Sequence, residues 1–203
     1  MTLALTLLRH APTDAPAGIL SSRPDLPAIL ADQQTRLAAL AAALPAMPAW
    51  YSSPYRRCRE TLEAVLAARG EATAAVTLID GFREQDFGEW EGRSYDELWR
   101  ELGPAGWRSP ARMQPPGGEN FLDVLARVRD ALAQIAAAPA TEEIVLAGHV
   151  GSIRAALASA LDLSPEAALA LAIDHLSTTR LVYADGVWRV DHVNRVFGVS
   201  ADD

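Results

Sequence analysis

The pair Arg9-His10 closes an apolar run from Leu3 to Leu8 and is followed at once by Ala11-Pro12. An imidazole can attack phosphorus as a neutral nucleophile, and a neighbouring guanidinium can grip two phosphoryl oxygens through its rigid fork. Alone, the pair reads equally well as a structural histidine beside a surface arginine. A second stretch, from Ser52 to Thr61, places Arg57 in the first turn of an expected helix. There its charge joins the unpaired backbone N–H groups and the positive end of the helix dipole to make an anion site. Arg56 and Arg59 of the same run read as a solvated face. A third stretch, Phe82 to Gly92, holds four acids. A carboxyl kept partly desolvated beside the anion would stay protonated enough to serve as an acid near neutrality. In the fourth, Gly148-His149-Val150-Gly151, small residues let the backbone approach an anion while His149 donates to it.

These residues can act together only if the elements before them end at one place. Leu3 to Leu8 reads as a central strand buried on both faces, stopped by Pro12. Ile29 to Leu44 has helical spacing and ends at Pro45, and Ala49 to Ser52 is a brief strand. Ser53-Pro54 looks like the start of a helix that runs to about Arg69 and stops at Gly70. Val76 to Ile79 is the next strand and leads into the acidic stretch. Residues 93–118 read as an irregular excursion near the site with one short helix, Ser94 to Leu102. Phe121 to Ile135 is amphipathic, Ile144 to Ala147 is a strand, and Ser152 to Leu161 is a helix, followed by a shorter one at Ser164-Pro165-Glu166. Thr178 to Tyr183 and Val187 to Val193 flank an Ala-Asp-Gly turn, a hairpin signal. The alternation predicts one α/β domain over residues 1–203, in three layers: a mostly parallel sheet, helices on both faces and an antiparallel C-terminal hairpin. Ligands in such sheets bind beyond the strand C-terminal ends, where the four stretches fall.

The formal net charge of -8 disfavours nucleic acid and anionic membranes, although all 18 basic residues are Arg. The single cysteine, Cys58, excludes an internal disulfide, and Ala64, six residues on, is not the arginine that a cysteine phosphatase loop needs. The first apolar run is too short for a signal peptide or a membrane span, which predicts a cytoplasmic protein. His149, His175 and His192 lack the close spacing of a zinc site, so no metal is expected.

Taken in order, the four stretches resemble the histidine phosphatase superfamily, also called phosphoglycerate mutase-like. The Pro115-Pro116-Gly117-Gly118-Glu119 segment adds to the likeness. The resemblance implies that His10 is phosphorylated and that Glu84, before Asp86-Phe87-Gly88, is the proton donor. It implies that Arg9, Arg57 and His149 hold the phosphoryl group without a cofactor. Ala11 stands where the family has Gly and Pro16 where many members have Asn, while Gly148 and Val150 alter the surroundings of His149. The segment Gly18 to Pro27 is similar to one in alpha-ribazole phosphatases of cobalamin synthesis, with Ser22 and Arg23 as the implied substrate contacts. The expected partner is a small-molecule phosphate ester. A mutase, or a binding protein that kept the fold without catalysis, are the alternatives. The terminal hairpin is either a paired edge, as in a homodimer, or an exposed one.

Overall fold

The structure, a computed structural model, describes residues 2–22 and 25–198. Six strands form one sheet in the order β3-β2-β4-β1-β5-β6. The first four in that order, β3 (Val76–Leu78), β2 (Ala49–Ser52), β4 (Glu143–Gly148) and β1 (Leu3–Arg9), run parallel. β5 (Thr178–Ala184) and β6 (Val187–Arg195) form the hairpin, and β5 pairs antiparallel with β1.

The apolar strands sit at the centre because both their faces are covered. Leu3, Leu5 and Leu7 of β1 join Ile144 and Leu146 of β4 under helices α4 (Phe121–Ala137) and α5 (Val150–Leu161). On the other face, Leu8 joins Trp50, Val145 and Ala147 under α1 (Gln34–Ala43) and α2 (Arg56–Ala68). Alternation along each strand therefore feeds two cores.

Two helix starts differ from the sequence reading. The segment from Ile29 forms only a 3-10 turn, Ala31–Gln33, before α1 begins at Gln34. Ser53 does not cap α2: Tyr55 is the N-cap residue, and the Ser53 hydroxyl is engaged elsewhere. The excursion holds α3 (Tyr95–Gly106), broken where Gly103 takes φ 60° before Pro104. A bridge between Ile19 and Ser94 ties it to the loop after β1. A five-residue helix, α6 (Pro165–Leu169), follows α5. Among the described residues, no helix is long and apolar enough to cross a membrane.

Candidate active site

Register brings three strand ends level: Arg9 lies beside Gly148, and Ser52 beside Ala147. His10 and His149, one residue further along their strands, are neighbours, with ring centroids 5.1 Å apart. His10 is 7% exposed, and its Nδ1 lies 2.7 Å from the Ala11 carbonyl. A carbonyl only accepts, so Nδ1 carries the proton and Nε2 keeps its lone pair. Burial first, and then the Arg57 charge, hold His10 well below the ordinary imidazole value, so it is neutral near pH 7. Ala11 fits where the family has Gly because its backbone is outside the left-handed region. Its N–H donates to Thr61 Oγ1 at 2.9 Å, and the Thr61 hydroxyl donates to the Arg57 carbonyl.

His175, which the sequence reading considered only as a metal ligand, supports both residues of the first pair. Its Nδ1–H donates to the His10 carbonyl at 2.9 Å, and its Nε2 accepts from Arg9 at 3.0 Å. Burial, followed by the Arg9 charge, lowers its pKa to about 4, so the ring stays neutral and keeps that acceptor. Leu176, the next residue, adopts φ 57°, an uncommon conformation for a branched apolar side chain, and its N–H donates to the Arg9 carbonyl.

Arg57 is 3% exposed in the first turn of α2. Its Nε donates to His149 Nδ1 at 3.3 Å, one of its terminal nitrogens donates to the Ser22 carbonyl, and its guanidinium lies over the Tyr55 ring. An arginine can only donate, so His149 is protonated on Nε2, which donates to Ser53 Oγ at 2.9 Å. In this structure both ring nitrogens of His149 are therefore engaged by protein groups. The ring is fully buried with both nitrogens occupied, is absent from the cavity wall, and braces Arg57 from behind. Desolvation and then Arg57 keep it neutral. Cys58 packs beside it, and burial pushes its thiol pKa up, away from nucleophilic use.

Glu84 is 9% exposed, and its carboxylate lies at the start of α5. It accepts from the Gly151 N–H at 3.2 Å and from the Gln85 N–H at 3.0 Å. Arg127 of α4 fixes the loop from below: it donates to the carbonyls of Gly81, Arg83 and Glu84 and makes a two-point pair with Glu119. The acidic loop also exchanges backbone bonds with residues 116–119, which gives the Pro-Pro-Gly-Gly-Glu segment a physical role. Gly151 leaves room for the carboxylate, since a Cβ there would fall 2.2 Å from Glu84 Oε1. In Gly151→Ala the flexible Glu84 side chain must move while the helix gains a better former. The expected result is a kcat about 10- to 100-fold lower with the melting temperature nearly unchanged, measured by steady-state kinetics and circular dichroism.

These groups face one cavity of ≈ 380 Å³. Among the described residues, Arg9, His10, Arg57, Glu84, Arg154 and His175 form the charged and imidazole part of its lining, its floor, and Tyr95 also lines it. Arg154, on α5, donates through Nε to the Leu171 carbonyl. The sequence reading missed its role because it sits inside an apolar helix pattern. With the histidines neutral, three guanidinium groups and one carboxyl group give the described residues of the wall a surplus of two positive charges when Glu84 is ionised and three when it is protonated. Ser22, expected as a substrate contact, is fully buried, and its N–H and hydroxyl both bond to the Glu91 carboxylate. Arg23 lies outside the described residues. Among those described, no cluster of three or more His, Cys, Asp or Glu side chains could hold a metal ion.

The profile of the histidine phosphatase superfamily (branch 1) matches residues 5–196. A bifunctional protein of Mycobacterium tuberculosis is 36% identical over 148 residues, covering 71% of this chain and 40% of that protein. The chain thus spans less than half the length of the first curated relatives it matches. A 2,3-bisphosphoglycerate-dependent phosphoglycerate mutase of Beijerinckia indica is 29% identical over 121 residues, 57% of this chain and 58% of the mutase. The structure of mycobacterial glucosyl-3-phosphoglycerate phosphatase superposes with a TM-score of 0.81 at 27% identity, over 96% of this chain and 100% of the other. A putative alpha-ribazole-5'-P phosphatase from Escherichia coli gives 0.83 at 22% identity, over 98% and 99%, a likeness of fold alone. With the fold in common and the profile matched over nearly all of its length, the chain belongs to the histidine phosphatase superfamily.

Proposed function

We propose that the protein is a phosphoric monoester hydrolase acting through a phosphohistidine on a small phosphorylated metabolite. The observation that carries this reading is the His10 ring, neutral and with Nε2 unprotonated, sharing with Arg9 and Arg57 the lining of a cavity with surplus positive charge. A phosphoryl dianion would offset two of those positive charges. In the first displacement the Nε2 lone pair attacks phosphorus and the bond to the ester oxygen breaks. That oxygen takes a proton from the Glu84 carboxyl and leaves as the alcohol. In the second, the Glu84 carboxylate draws a proton from water as the water oxygen attacks phosphorus. The P–N bond breaks, phosphate leaves, and both side chains return to their first state. Arg9 and Arg57 spread the charge of the group in transfer, His175 supports Arg9, and His149 holds Arg57 in place.

The test is a phosphate-release screen over sugar phosphates, nucleotides and alpha-ribazole 5'-phosphate, with and without EDTA. Alpha-ribazole 5'-phosphate is included on the likeness of the Gly18 to Pro27 segment. Of the two contacts that likeness implies, Ser22 has its hydroxyl bonded to Glu91 in this structure. Similarity to a phosphoglycerate mutase favours a second reading, which incubation with phosphoglycerates decides. Isomerisation faster than phosphate release would overturn the hydrolase. Glu84→Gln is expected to slow alkyl esters about 100-fold or more and p-nitrophenyl phosphate much less, because only the poor leaving group needs the proton. Equal slowing of both would remove Glu84 from the acid role.

A further inference from the structure

Beyond its ionisable floor, the cavity has no charged side chain among the described residues of its wall. The remaining wall is largely apolar and aromatic, with Leu20, Phe87, Leu98, Trp107, Met113 and Phe121 on it. Leu20, Leu98 and Phe121 are almost wholly buried, so this surface belongs to the fold and is more than a few stray side chains at the rim. It is also built as one piece. The Leu20 N–H donates to the Arg93 carbonyl, and the Tyr95 N–H to the Gly18 carbonyl. These bonds stitch the loop after β1 to the start of α3. The Trp107 ring packs against Trp99 at 5.5 Å and lies 6.4 Å from Tyr95. The polar groups on the rest of the lining, among them Thr13, Ser21, Gln85, Tyr95 and the unpartnered Trp107 indole N–H, are few and uncharged. Against the apolar residues the hydroxyls of a sugar or the carboxylate of a glycerate would lose water without a partner. An uncharged ring or alkyl body would instead be favoured by leaving water.

We infer that this wall is a leaving-group subsite and that it selects phosphomonoesters whose alcohol carries a bulky, uncharged, aromatic or apolar body. The inference rests on the hydrolase reading for the orientation of the substrate: the phosphoryl group occupies the floor and the alcohol the apolar wall. Arg154 lies one turn after Gly151 on α5, where the Gly151 N–H donates to Glu84, and its Nε is held by the Leu171 carbonyl, which places it with the charged groups.

The experiment compares 3-phenylpropyl phosphate with glycerol 1-phosphate and 3-phosphoglycerate, alkyl esters of alcohols with similar acidity. The kcat/KM for the phenylpropyl ester is expected to exceed both others by at least about tenfold. Parallel inhibition or calorimetry compares 3-phenylpropylphosphonate with methylphosphonate, which reads the subsite without turnover. The phenylpropyl compound should bind at least about tenfold tighter. Trp107→Ala, and separately Met113→Glu, which sets a carboxylate in the wall, should each shrink these ratios by about threefold or more. Equal or better use of glycerol 1-phosphate or 3-phosphoglycerate would overturn the subsite while leaving the hydrolase standing. Absence of turnover with every ester, together with a retained phosphonate preference, would overturn the hydrolase and keep the subsite. Ratios near one in both measurements, or ratios that neither variant changes, would end the inference.

Discussion

His10→Ala is expected to form no acid-labile, base-stable phosphoenzyme and to release phosphate about four orders of magnitude more slowly, or slower still, than the unaltered chain. The large effect follows from how the ring is held. The Ala11 carbonyl fixes the proton on Nδ1, and burial with the Arg57 charge keeps the ring neutral, so the nucleophilic lone pair is present without a general base to create it. Neither histidine beside it among the described residues is equipped to replace it. The His175 ring centroid is only 5.1 Å away, but its Nε2 accepts from Arg9 and its Nδ1–H is committed to the His10 carbonyl. The other neighbour, His149, has both nitrogens engaged and is shut off from the cavity. Rapid-quench labelling with a radioactive ester, followed by acid and base treatment, checks the prediction. Label that persists in His10→Ala would move the nucleophile to another side chain, His175 first.

The parts of this arrangement that were legible in the sequence are those set by backbone geometry. A strand buried on both faces must be apolar, and it must stop where Pro12 and polar residues begin, so the end of β1 could be placed to within one residue, at Leu8 against Arg9. Three such strand ends in one parallel sheet point the same way, which is why positions some 140 residues apart could be assigned to one pocket. What was not legible depends on where a side chain turns after its backbone is placed. Ser22 lies in the right segment, yet Glu91 takes its hydroxyl and leaves only its carbonyl for Arg57. Ser53 looks like a helix cap, but the imidazole of His149 claims its oxygen, and α2 starts later as a result. His149 was expected among the direct phosphoryl contacts, and its hydrogen bond from Arg57 Nε could not be read from the chain. His175 is reached through a turn between α6 and β5 that has no periodicity to read, and Leu176 beside it takes a conformation that its residue type argues against. The apolar wall draws its members from residues 20 to 121, each of which resembles an ordinary core residue until the cavity is seen.

Arg57→Ala and Arg56→Ala should separate sharply although the two residues are adjacent. A helix turns by about 100° per residue, so neighbours in the first turn of α2 cannot both face the sheet ends. Arg56 has a side chain 49% exposed and pairs with Glu60 one turn along the surface, an arrangement that solvent screens and that contributes little. Arg57 is enclosed by Tyr55, His149 and Ser22 and reaches the cavity wall, where it is one of three guanidinium groups. Its removal takes away a fixed donor to the developing charge and leaves His149 Nδ1 without its partner. The expected loss in kcat/KM is about 100-fold, or about 3 kcal/mol, against a change of less than about twofold for Arg56→Ala. Competitive inhibition by inorganic phosphate should weaken in the first variant and hold in the second. Arg57→Lys restores the charge without the planar fork, so it is expected to recover phosphate binding in part and turnover less, because a point charge cannot brace against His149 and face two phosphoryl oxygens at once. The reverse ranking of Arg56 and Arg57 would place α2 one residue out of register and turn the guanidinium assigned to the floor into solvent.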